Sequence, residues 1–316
     1  MRILITGVAG FIGSNLGEYL IKENHKIVGI DNFDPFYKRS IKEENIASLL
    51  QSANFSFFEG DIRDKTFINS IFSSQKPDII IHLAAKAGVR PSILNPREYY
   101  DVNVLGTLNI LECMKANGVS NMILASSSSI YGNNRKVPFS ETDFVENPIS
   151  PYAATKRSCE LLCHTYCHLY GFNISCLRFF TVYGPRQRPD LAIYKFTKAL
   201  LNNDIIPIYG DGLMSRDYTH INDIVQGIVN SMDSLNGYEI YNIGESKTIT
   251  LIDLISLLEK CSNKKAKLKY LPLQAGDVKR TFADISKAKE RLSFSPQICF
   301  EDGLKDFINW FKNNNK

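Results

Sequence analysis

A five-residue apolar run, Arg2-Ile3-Leu4-Ile5-Thr6, gives way at once to Gly7-Val8-Ala9-Gly10-Phe11-Ile12-Gly13. A short unbroken apolar run of this kind reads as a strand buried on both faces, the usual state of a parallel sheet. From Phe11 to about Lys22 the apolar residues recur at helical spacing. Strand, glycine turn and helix in that order leave few folds open. Glycine lets the backbone approach a pyrophosphate, and the first turn of a helix offers it N–H groups and partial positive charge. The spacing is Gly-x-x-Gly-x-x-Gly rather than the commoner Gly-x-Gly-x-x-Gly, so the turn alone is a weak signal. A second run, Lys26-Ile27-Val28-Gly29-Ile30, ends in Asp31, 18 residues after Gly13. An acid there suits adenosine ribose hydroxyls and repels a 2′-phosphate, which favours NAD over NADP. The alternative is an aspartate that merely caps a turn.

The alternation continues. Strands are expected near Phe55–Phe58, over Asp78–Ala85, at Asn121–Ala125 and at Asn173–Phe179. The long helices between them run from about Pro96 to Asn117 and from Pro151 to about Tyr170. Repeated strand–helix units imply an α/β, doubly wound parallel sheet, with ligands beyond the carboxyl ends of the strands. Asp61 follows one such end, Ala84 to Lys86 another, and Ser126 to Ser129 a third. Four consecutive serines there are either a solvated turn or a hydroxyl-rich wall, and Tyr152, further along the chain, favours the wall.

Tyr152 stands within Ser150-Pro151-Tyr152-Ala153-Ala154-Thr155-Lys156. Ser150 suits a helix cap and Pro151 the first helical position. Tyr152 and Lys156 stand four residues apart and so on one helical face. A neighbouring cation favours phenolate over phenol, which makes such a tyrosine a candidate proton shuttle. Tyr-x-x-x-Lys by itself also arises by chance as a solvated surface pair.

Beyond Phe180, the proline, glycine and arginine density of Thr181-Val182-Tyr183-Gly184-Pro185-Arg186-Gln187-Arg188-Pro189-Asp190 marks a crossing into a second, smaller α/β domain. Ile208-Tyr209-Gly210-Asp211-Gly212 reads as a hairpin turn. A helix from His220 to Met232 and a strand from Tyr238 to Gly244 are expected to return to the sheet. The expected division is residues 1–180 with about 217–246 for the dinucleotide, and about 181–216 with 247–316 for a substrate. Asn313 to Lys316 is expected to fray.

A net charge of +4 over 316 residues is too small to argue for nucleic acid, though it suits an anionic small substrate. The seven cysteines form no Cys-x-x-Cys pair and read as reduced thiols of a cytoplasmic protein. Cys159, Cys163 and Cys167 beside His164 and His168 have helical spacing that could hold a metal. No carboxylate completes a sphere, and buried cysteine packs as a small hydrophobe, so packing without metal is expected. Glycines interrupt the N-terminal apolar run, so no signal peptide is expected, and no run reaches the ~20 residues that span a bilayer.

Taken together, Gly7-x-x-Gly10-x-x-Gly13, Asp31, His82-Leu83-Ala84-Ala85, Asn103, Ser127 and Tyr152-x-x-x-Lys156 resemble the extended short-chain dehydrogenase/reductase family over nearly the whole chain. The resemblance implies a Rossmann domain holding NAD. Its cofactor set here is Gly7, Gly10, Phe11, Ile12, Gly13, Asp31, Asn32, Asp61, Ile62, Leu83, Ala84, Ala85, Lys86, Asn103, Tyr152 and Lys156. Asp61 and Ile62 would flank the adenine and Asn103 would support the active-site helix. Ser127 and Tyr152 would bond the reacting hydroxyl, with Lys156 on the nicotinamide ribose. The same resemblance implies a UDP-sugar site with Arg90, Ser128, Ser129, Thr181, Arg188, Arg216 and Asp277. There Arg216 would meet the diphosphate and Asp277 the nucleotide ribose, while Arg186 is either part of the cleft or a surface charge. No metal is implied, and a homodimer through the helices of residues 96–117 and 151–170 is.

Within the family, hexose 4,6-dehydratases carry Asp-Glu, and uronate decarboxylases Glu, just before the Tyr-Gly that follows the fifth strand. Here Ile130 precedes Tyr131-Gly132 and cannot move a proton. The redox cycle at C4 survives, which implies an isomerase. Phe180 to Asp190, with Ala87-Gly88-Val89-Arg90, resembles the UDP-glucuronate 4-epimerases, whereas UDP-glucose 4-epimerases generally have Asn at the position of Thr181. Ser127 stands where Thr is common, and Arg90-Pro91-Ser92 departs from the aromatic-rich run common there. The implied reaction is UDP-glucuronate to UDP-galacturonate through a 4-keto sugar. The alternatives are a neutral or N-acetylated UDP-hexose as substrate, and a non-catalytic NAD-sensing protein, which would have less reason to keep both Tyr152 and Lys156.

Overall fold

The computed structural model describes residues 1–272 and 278–314. Strand β1 (Arg2–Thr6) leads through the glycine turn into α1 (Phe11–Lys22), and β2 (Lys26–Asp31) follows. Helix α2 (Arg39–Ile46), strand β3 (Phe55–Glu59), helix α3 (Lys65–Gln75) and strand β4 (Ile79–His82) continue the alternation. Short helices α4 (Val89–Leu94) and α5 (Pro96–Tyr99) precede α6 (Gly106–Asn117), and six π-helical residues, Tyr100–Leu105, join α5 to α6. Strand β5 (Asn121–Ser127), helix α7 (Pro151–Tyr170) and strand β6 (Asn173–Phe179) follow.

These strands and a later one, β11 (Tyr238–Ile243), form a seven-stranded sheet in the order β11-β6-β5-β4-β1-β2-β3, parallel throughout. The unbroken apolar runs are explained by burial on both faces. Ile3, Ile5, Ile79 and Ile81 enter one hydrophobic cluster, while Leu4 and Ile80 enter the cluster on the opposite face. The chain order reverses between β1 and β4, which opens a crevice at their carboxyl ends.

After β6 come β7 (Thr181–Tyr183), α8 (Ala192–Asn202), β8 (Ile205–Tyr209), β9 (Ser215–Arg216), β10 (Tyr218–His220), α9 (Ile221–Met232) and β11 (Tyr238–Ile243). The last elements are β12 (Ile249–Thr250), α10 (Leu251–Ser262), β13 (Lys267–Leu271), α11 (Ser286–Leu292) and α12 (Phe300–Asn314). A third hydrophobic cluster, including Ile193, Ile206, Leu254 and Phe307, is built from residues beyond Phe180. The hairpin expected around Gly210 is absent. The turn is there, with Gly210 and Gly212 at φ 80° and 78°, but β8 pairs in parallel with β13, and β9 pairs antiparallel with β12. Turn chemistry is local, whereas the choice of partner strand is made by distant residues.

Helix α7 starts as its sequence dictates. Ser150 Oγ accepts from the Ala153 amide at 3.2 Å and Pro151 opens the first turn. Cys159 and Cys163 of α7 lie in the second cluster with Cys176, and Cys167 packs against it. Among the described residues no group of three or more His, Cys, Asp or Glu could hold a metal ion, and no helix is long and apolar enough to cross a membrane.

Candidate active site

A cleft of about 510 Å³ opens at the carboxyl ends of β1 to β6. Its floor is the glycine turn. Gly7 adopts φ 73°, and a Cβ there would lie 2.8 Å from the Ala84 amide nitrogen. A Cβ on Gly13 would lie 2.3 Å from the Gly7 carbonyl oxygen. Side chains at these two positions would fill the space at the helix entrance, so the turn leaves the N-terminus of α1 open to an anion. Asp31 closes the next side: its carboxylate accepts from the Ala9 amide at 3.0 Å and the Phe33 amide at 2.9 Å. Burial pushes the Asp31 carboxyl up, against the pull of Lys42. Burial also acts to raise Asp61, but bonds from Arg63 and Asn32 prevail and hold its carboxyl at about 2. A glycine cradle, an acid at the end of β2 and an open helix terminus fit a dinucleotide whose 2′-hydroxyl carries no phosphate.

The other end of the cleft gathers the residues expected to move a proton. Tyr152, Lys156, Ser127, Ser128 and Ser129 all line it. Lys156 is 5% exposed and its Nζ donates to the Ala125 carbonyl at 2.8 Å, which ties α7 to the end of β5. Tyr99 packs edge-on against the Tyr152 ring with centroids 6.2 Å apart. Ser127 and Ser129 hydroxyls are 2.6 Å apart. All four serines line the cleft, but Ser126 donates its hydroxyl to Glu160 at 2.6 Å, which leaves the hydroxyls of Ser127, Ser128 and Ser129 to the wall.

Most of the expected residues meet here: Phe11, Ile12, Asn32, Ile62, Leu83, Ala84, Ala85, Lys86, Thr181, Arg188 and Arg216 also line the cleft. Asn103 does not line it. Its side chain bonds both backbone groups of Lys86, at 2.8 and 3.1 Å, and Thr155 of α7 at 3.0 Å, so it braces the wall from behind. Arg90 is also outside the lining, its guanidinium 5.1 Å from the centre of the Tyr209 ring. Arg186 turns instead to Glu18. Asp277 lies outside the described residues.

Sequence reasoning missed Asp34, Phe36, Tyr37 and Lys42, which line the cleft from the segment after β2. Lys42 donates to the Asp34 carbonyl at 2.8 Å, and the Arg188 guanidinium lies 5.4 Å from the centre of the Phe36 ring. It also missed the pair beneath α7, where buried Glu160 receives Arg178 at 2.9 Å on both oxygens.

His82 illustrates how rigid the floor is. Thr107 donates to the Asn103 carbonyl at 2.6 Å, so its oxygen is left to accept from His82 Nε2–H at 3.0 Å. Nδ1 is then the acceptor for the Thr6 hydroxyl at 2.7 Å. The ring is neutral, and burial pushes it down to about 3, helped by the charge of Lys156. Below pH ~6.5 the unfolded chain takes up a proton that the folded ring refuses, so stability falls by about 1.4 kcal/mol per pH unit from this group. Burial also raises Asp217, to about 6, which acts oppositely as pH falls from 6 towards 4. The test is therefore a difference. Urea unfolding at pH 6.5 and 5.0 is expected to show a loss about 2 kcal/mol larger in wild type than in a His82→Gln variant; equal losses would show a ring that titrates freely.

Comparison with known proteins agrees with this geometry. The family model for GDP-mannose 4,6 dehydratase matches residues 4–307. The UDP-glucuronate 4-epimerase of Thermodesulfobacterium geofontis is 48% identical over 98% of this chain and 96% of its own. Protein CapI of Staphylococcus aureus is 41% identical over 98% of each chain. Among solved structures, UDP-glucuronic acid 4-epimerase from Bacillus cereus, in complex with UDP-glucuronic acid and NAD, superposes with a TM-score of 0.94 at 39% identity over 99% of both chains. UDP-glucose 4-epimerase from Thermotoga maritima, with UDP-glucose, gives 0.93 at 34% identity over the full length of both. With matches of this extent, the chain belongs to the GDP-mannose 4,6-dehydratase family within the extended short-chain dehydrogenases/reductases, and it is similar to the UDP-glucuronate 4-epimerases among them.

Proposed function

We propose that this protein is an NAD-dependent isomerase that inverts C4 of a UDP-sugar, converting UDP-glucuronate to UDP-galacturonate through a 4-keto sugar. The observation that carries the reading is the meeting, in one cleft, of the glycine cradle, Tyr152 with Lys156, and the hydroxyls of Ser127, Ser128, Ser129 and Thr181. NAD, when bound, supplies reversible removal of the C4 hydrogen with its electron pair. Gly7, Gly10 and Gly13 leave room for its pyrophosphate at α1, and Asp31 accepts from its adenosine ribose. Tyr152 takes the proton of the C4 hydroxyl and later returns it, and Ser127 holds that oxygen. Lys156 orients the ribose while anchored on Ala125.

Arg188 and Arg216 hold the diphosphate so that the sugar can turn about its link to it, and neutral hydroxyl donors suit the sugar carboxylate. Although the family model bears a dehydratase name, Ile130 is fully buried in the hydrophobic core and offers no acid or base for elimination. The third hydrophobic cluster supports assigning about 181–216 and 247–316 to the sugar nucleotide and residues 1–180 with about 217–246 to NAD, except that Ala283, Ile285, Ala288, Leu292 and Phe294 pack in the first cluster and Tyr218 in the third. Exposed Leu105, Leu161 and Leu169 on the helices of residues 96–117 and 151–170 support a homodimer, and seven free cysteines suit the cytoplasm.

Purified protein incubated with UDP-glucuronate, without added NAD, is expected to form UDP-galacturonate, since the cofactor is regenerated at each turnover. Faster epimerisation of UDP-glucose would favour a neutral substrate, and no change in either sugar would overturn the reading.

A further inference from the structure

Arg186 is the arginine of the Gly184–Asp190 loop that the cleft does not use. Its Nη2 donates to Glu18 Oε1 at 2.5 Å, and both side chains are largely covered, 19% and 27% exposed. Glu18 lies on α1, the helix whose N-terminus faces the cleft, and Ser48 donates to the same carboxylate oxygen. Asn15, three residues earlier and on the same helical face, donates from Nδ2 to the Pro185 carbonyl at 3.3 Å and to the Phe11 carbonyl at 2.8 Å. The loop therefore has two attachments to one helix. An exposed ion pair would contribute little, but this one holds a conformation that a free chain avoids. Arg186 sits at φ 68°, in the left-handed region, as the second central residue of the turn closed by the Gln187 amide on the Gly184 carbonyl at 3.1 Å. Two residues on, Arg188 projects into the cleft, its guanidinium fixed on both Asp190 oxygens at 2.9 and 2.8 Å.

We propose that Arg186 and Glu18 form a clamp that positions the loop carrying Arg188 on the cofactor-facing helix, so that α1 serves as the seat of the sugar-nucleotide site. Arg186 is a positioning residue: it acts through Arg188 and touches neither ligand. The clamp rests on the proposed contact of Arg188 with the diphosphate.

The experiment is calorimetric titration of the purified full chain, with its bound NAD, by UDP, alongside steady-state rates with UDP-glucuronate. Arg186→Ala and Glu18→Gln are each expected to weaken UDP binding and raise KM by about tenfold, equivalent to ~1.4 kcal/mol. Bound NAD should be unchanged and kcat altered by no more than about twofold. Arg186→Lys, which keeps the charge, should recover most of the loss. Adding Arg186→Ala to an Arg188→Ala background should have no further effect, because the residue through which it acts is gone. Wild-type affinity in both single variants, or additive losses in the double variant, would overturn the clamp alone. A wild-type protein that fails to bind UDP would overturn the sugar-nucleotide reading and the clamp with it.

Discussion

Tyr152→Phe is expected to lower the epimerisation rate by about 10²–10⁴-fold, the range for loss of a positioned acid–base group, while bound NAD and the unfolding midpoint stay at wild-type values. The structure separates these effects because the phenol oxygen is the only atom removed. The ring remains to pack against Tyr99, and the helix start is held by the Ser150 cap, Pro151 and the Thr155 hydroxyl on the Tyr152 carbonyl at 2.8 Å. Nothing in the glycine cradle or at Asp31 depends on that oxygen. Rates should be read at saturating UDP-glucuronate, with NAD quantified after denaturing the protein. Full activity in the variant would remove Tyr152 from the chemistry, whereas loss of activity together with loss of NAD would make it a binding residue.

Much of this site could be read from the chain because its chemistry leaves local marks. The cradle was legible since only glycine tolerates the approach of Gly7 to Ala84 and of Gly13 to Gly7. The sheet was legible since burial on both faces forces unbroken apolar runs. What was missed depends on parity and on distant partners. Ser126 shares the parity of Met122 and Leu124, which face the second cluster, so alternation along β5 turns it away from Ser127 and towards Glu160. Arg178 shares the parity of Ile174 and Cys176 on β6, and a charge inside so apolar a strand implies a buried partner, though not which one. The segment from Asp34 to Lys42 carries no periodicity at all; its place in the cleft is set by the bonds of Lys42 and by packing against Arg188, neither of which is local.

The pair formed by Glu160 and Arg178 gives the largest expected effect on stability. Glu160→Ala should lower the free energy of unfolding by about 3–5 kcal/mol in urea titrations. Glu160 is fully buried and Arg178 is 1% exposed. The carboxylate also accepts from Ser126 at 2.6 Å and from Arg157 at 3.1 Å. On the far side, Arg178 Nη1 donates to the Tyr131 hydroxyl at 2.9 Å, and that hydroxyl donates to Asn242 Oδ1 at 2.7 Å. Removing Glu160 leaves a guanidinium without its counter-charge in a place water does not reach, and an arginine cannot shed its proton to escape. The cost arises from the stranded partner rather than from the lost attraction, and this fixes an ordering. A Glu160→Leu/Arg178→Leu double variant should be more stable than Glu160→Ala, since the one charge that loses its partner, Arg157, is partly exposed. A change below about 1 kcal/mol for Glu160→Ala would show that water reaches Arg178. A double variant less stable than the single would mean that the pair stabilises the fold by its own attraction, and that α7, with Lys156 one turn from Glu160, is held down by charge rather than by packing.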